Sequence, residues 1–282
     1  MLNRLWKFRE LLFTLVRRDL LVRYQSSVLG FLWSFARPLA LVAIFGIAFS
    51  VILRFEGLPG GVGLGWHILV GILAWSYFSR CLMEGLGAIL GHANLIKKVK
   101  LPLEVFPATT VIGNLINYLL GMMVIFPVIL LAMTDREGYS WTQAPAQILL
   151  FLAVTLLLTA LAFALALLVS ALHVFYRDVE SIVDVSLQAW FYATPIVYPL
   201  TLLYENGTFK HGRTLEILYW LNPMTPICAA YRRILLYRSC DLEIPDATLV
   251  LYLALSVLTI LVTYLIGQAV FHHFSKYFAD EI

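Results

Sequence analysis

His92-Ala-Asn-Leu-Ile-Lys-Lys-Val-Lys-Leu-Pro-Leu-Glu-Val-Phe-Pro107 is a short basic segment set between two long apolar runs. What this break is settles what its flanks are. A run long enough to cross a bilayer ends in a loop, and loops on the cytosolic side collect lysine and arginine. The composition agrees with that geometry. Of 282 residues, 61% are hydrophobic and only 13% charged, with a mean hydropathy of +0.85. A soluble domain cannot hide so much apolar surface, so the sequence predicts an all-α integral membrane protein. A net charge of +3 is too mild to point to nucleic acid.

Working outward in both directions, six spans are expected, near 28–53, 66–90, 105–133, 146–172, 181–200 and 247–271. Each approaches or exceeds the roughly 20 residues that cross the hydrocarbon core. Before them, residues 1–27 read as an amphipathic interface helix. Leu5, Phe8, Leu12, Leu15 and Val16 fall on one side, and Lys7, Glu10, Thr14 and Arg17 on the other. Within 201–245 two apolar pieces, 215–221 and 224–237, are too short to span and read as interfacial or re-entrant helices. Residues 28–271 then form one six-helix transmembrane domain, containing the break at 92–104 and the re-entrant region at 201–245. A tail follows at 272–282. Lysine and arginine are denser on the side of residues 1–27, 97–100, 177 and 276, which puts both termini in the cytosol.

Several functions are excluded or disfavoured. No phosphate-binding G-x-x-x-x-G-K-[ST] loop occurs, so the chain carries no such ATPase of its own. The three cysteines and the histidines lack metal-ligand spacing, and no metal is assigned. A membrane-embedded transferase would need convergent acid and base groups at one depth, and none is evident. A secondary transporter commonly shows an internal repeat, and none is seen.

Within the opening segment, Asn94 is placed to cap a short helix in which Leu95 and Val99 lie one turn apart, with Lys97, Lys98 and Lys100 around them. Pro102 stops it and Pro107 opens the next span. A tight hairpin between two spans needs neither a capped helix nor two prolines, which points to a docking element. Arg37 precedes Pro38 inside the first span, and two roles stay open: lining a water-filled path, or binding a carbonyl freed by the proline. Arg80 and Glu84, one turn apart in the second span, read as a self-neutralising pair. Aromatics gather around Trp33, Trp75 and Trp190.

Four stretches together resemble the permease subunit of ABC-2-type polysaccharide exporters, the family that exports O-antigen and teichoic acid. They are Arg17-Arg-Asp-Leu-Leu-Val-Arg-Tyr24 with Gly30-Phe-Leu-Trp33 and Pro38; Asn94-Leu-Ile-Lys-Lys-Val99 with Pro102, Glu104 and Pro107; Phe175-Tyr-Arg-Asp-Val179 with Thr194-Pro-Ile-Val-Tyr-Pro199; and Asn222-Pro-Met-Thr225 with Tyr231-Arg232. They run the length of the chain in the expected order. The resemblance implies a half-transporter in the bacterial inner membrane. Two copies would form a channel for a lipid-diphosphate-linked polysaccharide, with O-antigen ahead of teichoic acid or another glycan. Two copies of a separate ATPase would sit beneath it, so ATP and magnesium would be bound by the partner and no cofactor by this chain.

By the same resemblance Asn94, Leu95, Ile96, Lys97, Lys98 and Val99 form a coupling helix that docks on the ATPase, with Arg177 and Asp178 at a second contact. Arg17, Arg18 and Arg23 lie on the interface helix, where they would meet either the diphosphate headgroup or anionic lipid in general. Trp33, Arg37, Trp190, Tyr192 and Tyr198 would line the channel. Asn222, Pro223, Met224 and Tyr231 would form a periplasmic gate, which a static plug would equally explain.

Overall fold

The computed structural model describes residues 8–24, 64–98, 101–133, 144–198, 220–236 and 246–281, with a few isolated positions between them. Among these residues every regular element is helical. In chain order they are α1 (Arg9–Tyr24), α2 (Leu64–Leu86), a 3₁₀ turn (Leu90–His92), α3 (Ala93–Lys98), α4 (Val105–Met133), α5 (Ala144–Phe175), α6 (Val179–Ala193), α7 (Met224–Leu235), α8 (Asp246–Phe274) and α9 (Phe278–Glu281).

Among the described residues three stretches are long and apolar enough to cross a membrane: Val105–Leu131, Ala144–Phe175 and Ala247–Phe274, in α4, α5 and α8. Their outward faces carry Met123, Leu131, Leu149, Leu156, Val250 and Leu261, all exposed. Lipid is the medium in which such a surface is stable, because the helices satisfy their own backbone groups. Most of the expected first span at 28–53 lies outside the described residues.

Helix α5 is the hub, packing against α2, α4, α7 and α8. It does so with small residues, and Ala162, Ala164 and Ala166 are fully buried. A Cβ on Gly85 of α2 would lie 3.1 Å from Ala166 Cβ, and one on Gly267 of α8 would lie 2.5 Å from the Ala164 carbonyl oxygen. Backbones this close need glycine at the crossing, and such contact replaces the hydrophobic drive that lipid removes.

Two elements depart from the expectation. Helix α6 ends at Ala193, not near 200. Thr194 precedes Pro195 and is pushed to an extended backbone, φ −109° and ψ 140°. The final segment does not trail away. α8 runs on to Phe274, the chain turns, and Phe278 returns fully buried.

The packing divides into two cores. The larger runs through α2, α4, α5 and α7. The smaller closes the opposite end, where Leu15, Ala88, Ile89, Val105, Phe106, Phe271 and Phe278 meet. The first of these residues belongs to α1 and the last to α9, so both ends of the described chain are bound into it.

Candidate functional site

At the α1 end sits the six-residue helix α3. Leu95 and Ile96 are half-buried against the smaller core, while Asn94, Lys97 and Lys98 are exposed. Val99 lies outside the described residues. Asn94 does not cap the helix. The chain arrives already helical through the 3₁₀ turn, with Ala93 donating its N–H to the Leu90 carbonyl, so no extended cap residue exists and Asn94 sits inside the first turn. Arg177 and Asp178, in the turn between α5 and α6, are both exposed and form no ion pair with each other.

Helix α1 lies across α4 and is tied to the adjoining hairpin at two points. Arg18 Nη2 lies 2.8 Å from His92 Nε2. A guanidinium can only donate, so Nε2 accepts, and the proton sits on Nδ1, which donates to the Ala88 carbonyl at 2.9 Å. The imidazole also stacks on Phe106 at 4.8 Å. At the second point Arg23 forms an ion pair with Glu84 and donates to Asn114 Oδ1 at 2.8 Å, while Asn114 Nδ2 donates to Glu84 Oε2 at 2.7 Å. The sequence pairs Glu84 with Arg80, one turn earlier; the structure supplies partners from two other helices. Between the two ties is a cavity of about 590 Å³ lined by Arg18, Arg23, Glu84, His92, Thr109 and Thr110, among others. Arg17 is exposed and lies outside that lining.

At the other end, the non-helical turn after α6 is held against α7. Asn222 Oδ1 accepts from Trp190 Nε1 at 2.8 Å and from the Met224 N–H at 3.1 Å. Its Nδ2 donates to Thr194 Oγ1 at 2.9 Å. Arg232, almost fully buried, donates from Nη2 to the Pro195 and Ile196 carbonyls at 2.6 and 2.9 Å. The buried Tyr231 hydroxyl donates to Thr155 Oγ1 at 2.9 Å. Pro223, Met224 and Cys228 are buried as well. The Cys228 thiol has no exposed surface.

The candidate channel residues separate. Trp190 packs edge-on against Phe78 at 5.2 Å and Trp75 at 6.3 Å, and is half-buried. Tyr198 is half-buried, its hydroxyl donating to the Tyr192 carbonyl at 2.9 Å. Tyr192 is exposed, and the same face of α6 presents Asp184 and Gln188, joined by a 3.0 Å hydrogen bond. Trp33 and Arg37 lie outside the described residues. Among the described residues no group of three metal-ligating side chains occurs. Glu84, Asn114, Arg232 and Phe278 were not singled out by sequence for these contacts. A signal existed for the first three, since a polar group inside an apolar helix must find a partner.

A family model described as ABC-2 type transporter matches residues 10–236, which include every site just described except the end of α8 and α9. The chain belongs to the ABC-2 type transporter family. Among curated relatives of this ABC-2 chain, the O-antigen export system permease protein RfbA of Myxococcus xanthus is 31% identical over 254 residues, covering 90% of this chain and 89% of the relative. Two proteins of the same name from Klebsiella pneumoniae are 25% and 24% identical over 271 residues, covering 96% of this chain and 94% of each relative. The ABC-2 match thus takes in both the α3 end and the α7 end.

Proposed function

We propose that this chain is the membrane subunit of an ATP-driven exporter that moves lipid-diphosphate-linked polysaccharide of the O-antigen type out across the bacterial inner membrane. Two copies form the channel, each with six spans and both termini in the cytosol, and two copies of a separate ATPase bind beneath. Teichoic acid or another glycan is the alternative cargo for the same machinery. The observation that carries the mechanism is α3. It is anchored inward by Leu95 and Ile96 and turns Asn94, Lys97 and Lys98 outward. A basic ridge on a short, firmly seated helix suits an acidic groove on a partner that supplies the work. Relatives named for O-antigen export, matched over most of their length, support the cargo.

In this reading Arg18, which the structure shares between His92 and an ion pair with Asp19 at 3.2 Å, exchanges that exposed pair for the lipid diphosphate in the cavity between α1 and the hairpin, and Arg17 meets it, or anionic lipid, from outside. Arg23 is already neutralised by Glu84 and shapes the wall. Tyr192, with Asp184 and Gln188, offers the moving glycan a ring face and hydrogen-bonding groups on an exposed side of α6. Trp190 braces that helix, and Asn222, Pro223, Met224 and Tyr231 hold the exit. The test reverses the ridge. In the reconstituted complex, Lys97→Glu with Lys98→Glu should leave basal ATP hydrolysis intact and abolish its coupling to export. A double variant that co-purifies with the ATPase and exports normally removes this role for α3.

A further inference from the structure

The residues after α8 contribute a side chain to the interior of the α1 end. After Phe274 the chain makes a tight turn, with the Ser275 N–H donating to the Phe271 carbonyl at 2.8 Å and the Tyr277 N–H to the Phe274 carbonyl at 2.9 Å. That turn carries Phe278 back into the bundle. Its ring is fully buried, 5.5 Å from Phe271 and 6.0 Å from Phe175. The neighbours Lys276 and Tyr277 face out. Helix α9 packs against α3 and α5 as well as α8. Helix α3 is the basic ridge. Helix α5 ends at Phe175, just before the exposed Arg177 and Asp178.

A six-residue helix has little stability of its own. To transmit force, α3 must be fixed by what lies under it, and what lies under it includes a side chain from the last few residues. We infer that residues 275–281 form a brace for the ATPase-docking platform, with Phe278 the positioning residue that holds α3 and the α5–α6 turn in fixed register for an ATPase presenting an acidic groove to Lys97 and Lys98. The inference rests on the docking role of α3 and adds a third element to it.

The test uses the complete complex in lipid nanodiscs. Phe278→Ala should lower export-coupled ATP hydrolysis several-fold, Phe278→Leu should retain most of it, and Tyr277→Ala, on the exposed neighbour, should match the parent. Hydrogen exchange gives a second readout. Amides of residues 93–98 should exchange about tenfold faster in the Phe278→Ala complex, while amides of α7 stay unchanged. If Phe278→Ala does not accumulate, the same measurement on Phe278→Leu decides, with a smaller acceleration confined to 93–98 expected. Unchanged exchange at 93–98, or unchanged coupling in Phe278→Ala, overturns the brace. If Lys97→Glu/Lys98→Glu uncouples but the Phe278 variants do not, the brace alone fails. If neither does, the docking role of α3 fails with it.

Discussion

Glu84 shows what a sequence can and cannot say about a charge inside an apolar helix. A carboxylate there needs a partner, and the sequence offers Arg80 at the favourable spacing. It does not show that α1 lies across α4, bringing Arg23 from 61 residues away to the same carboxylate. The need for a partner was legible; its identity depended on packing. The side chains of Arg23 and Glu84 are 27% and 36% exposed, so solvent screening holds the pair to about 1 kcal/mol. Its value lies in position. Arg23→Glu alone puts two carboxylates together and should depress export while lowering the melting temperature only slightly. Adding Glu84→Arg should restore most of the export, since the Asn114 amide can present its oxygen to a guanidinium as readily as its nitrogen to a carboxylate. A double variant that exports no better than the single one would separate this pair from the transport cycle.

Among the elements, the long apolar helices were legible and the shorter ones less so. The expected span at 105–133 coincides with α4, because length and hydropathy alone determine it. Helix α6 ends several residues short of the expected position near 200. Apolar and aromatic residues continue past Ala193, and only the backbone restriction before Pro195 stops the helix. The crossing of α5 with α8 was not legible either, since an isolated glycine in an apolar run does not reveal which backbone approaches it. Gly267→Ala tests that crossing. Its Cβ would stand 2.5 Å from the Ala164 carbonyl oxygen, and a backbone atom cannot swing aside. The substitution should cost about 1–3 kcal/mol, as overpacking does. It should appear as a lower thermal midpoint in detergent, with Gly113→Ala, where a Cβ meets nothing within 4 Å, as the neutral control. Equal midpoints would mean that the two helices do not cross this closely.

As a whole the molecule is organised by its two ends. One combines a small apolar core with α3 displayed on its surface. The other holds α7 inside the bundle through Asn222, Tyr231 and Arg232. The membrane class and the basic end were legible in composition and charge placement. The burial of α7 was not, because a short amphipathic segment between spans reads equally as a surface helix. The exposed side of α6 carries Asp184, Gln188 and Tyr192 beside the apolar Ile182 and Val185, and under the proposed function a second copy is expected to close it. Native mass measurement of the purified complex should therefore give two copies of this chain with two ATPase subunits. A one-to-one assembly that still exports would remove the two-copy channel. Helix lengths bear on the same question. α4, α5 and α8 have 29, 32 and 29 residues, and α6 has 15. At 1.5 Å per residue they rise roughly 44, 48, 44 and 22 Å, against a hydrocarbon layer of about 30 Å. The molecule is therefore uneven in hydrophobic thickness, tall along three helices and short along α6. Lipid packed beside α6 would have to thin or tilt, at a cost that grows with each ångström of mismatch. A column of water and sugar has no preferred thickness to violate, so the short helix is at ease only where the bilayer does not reach.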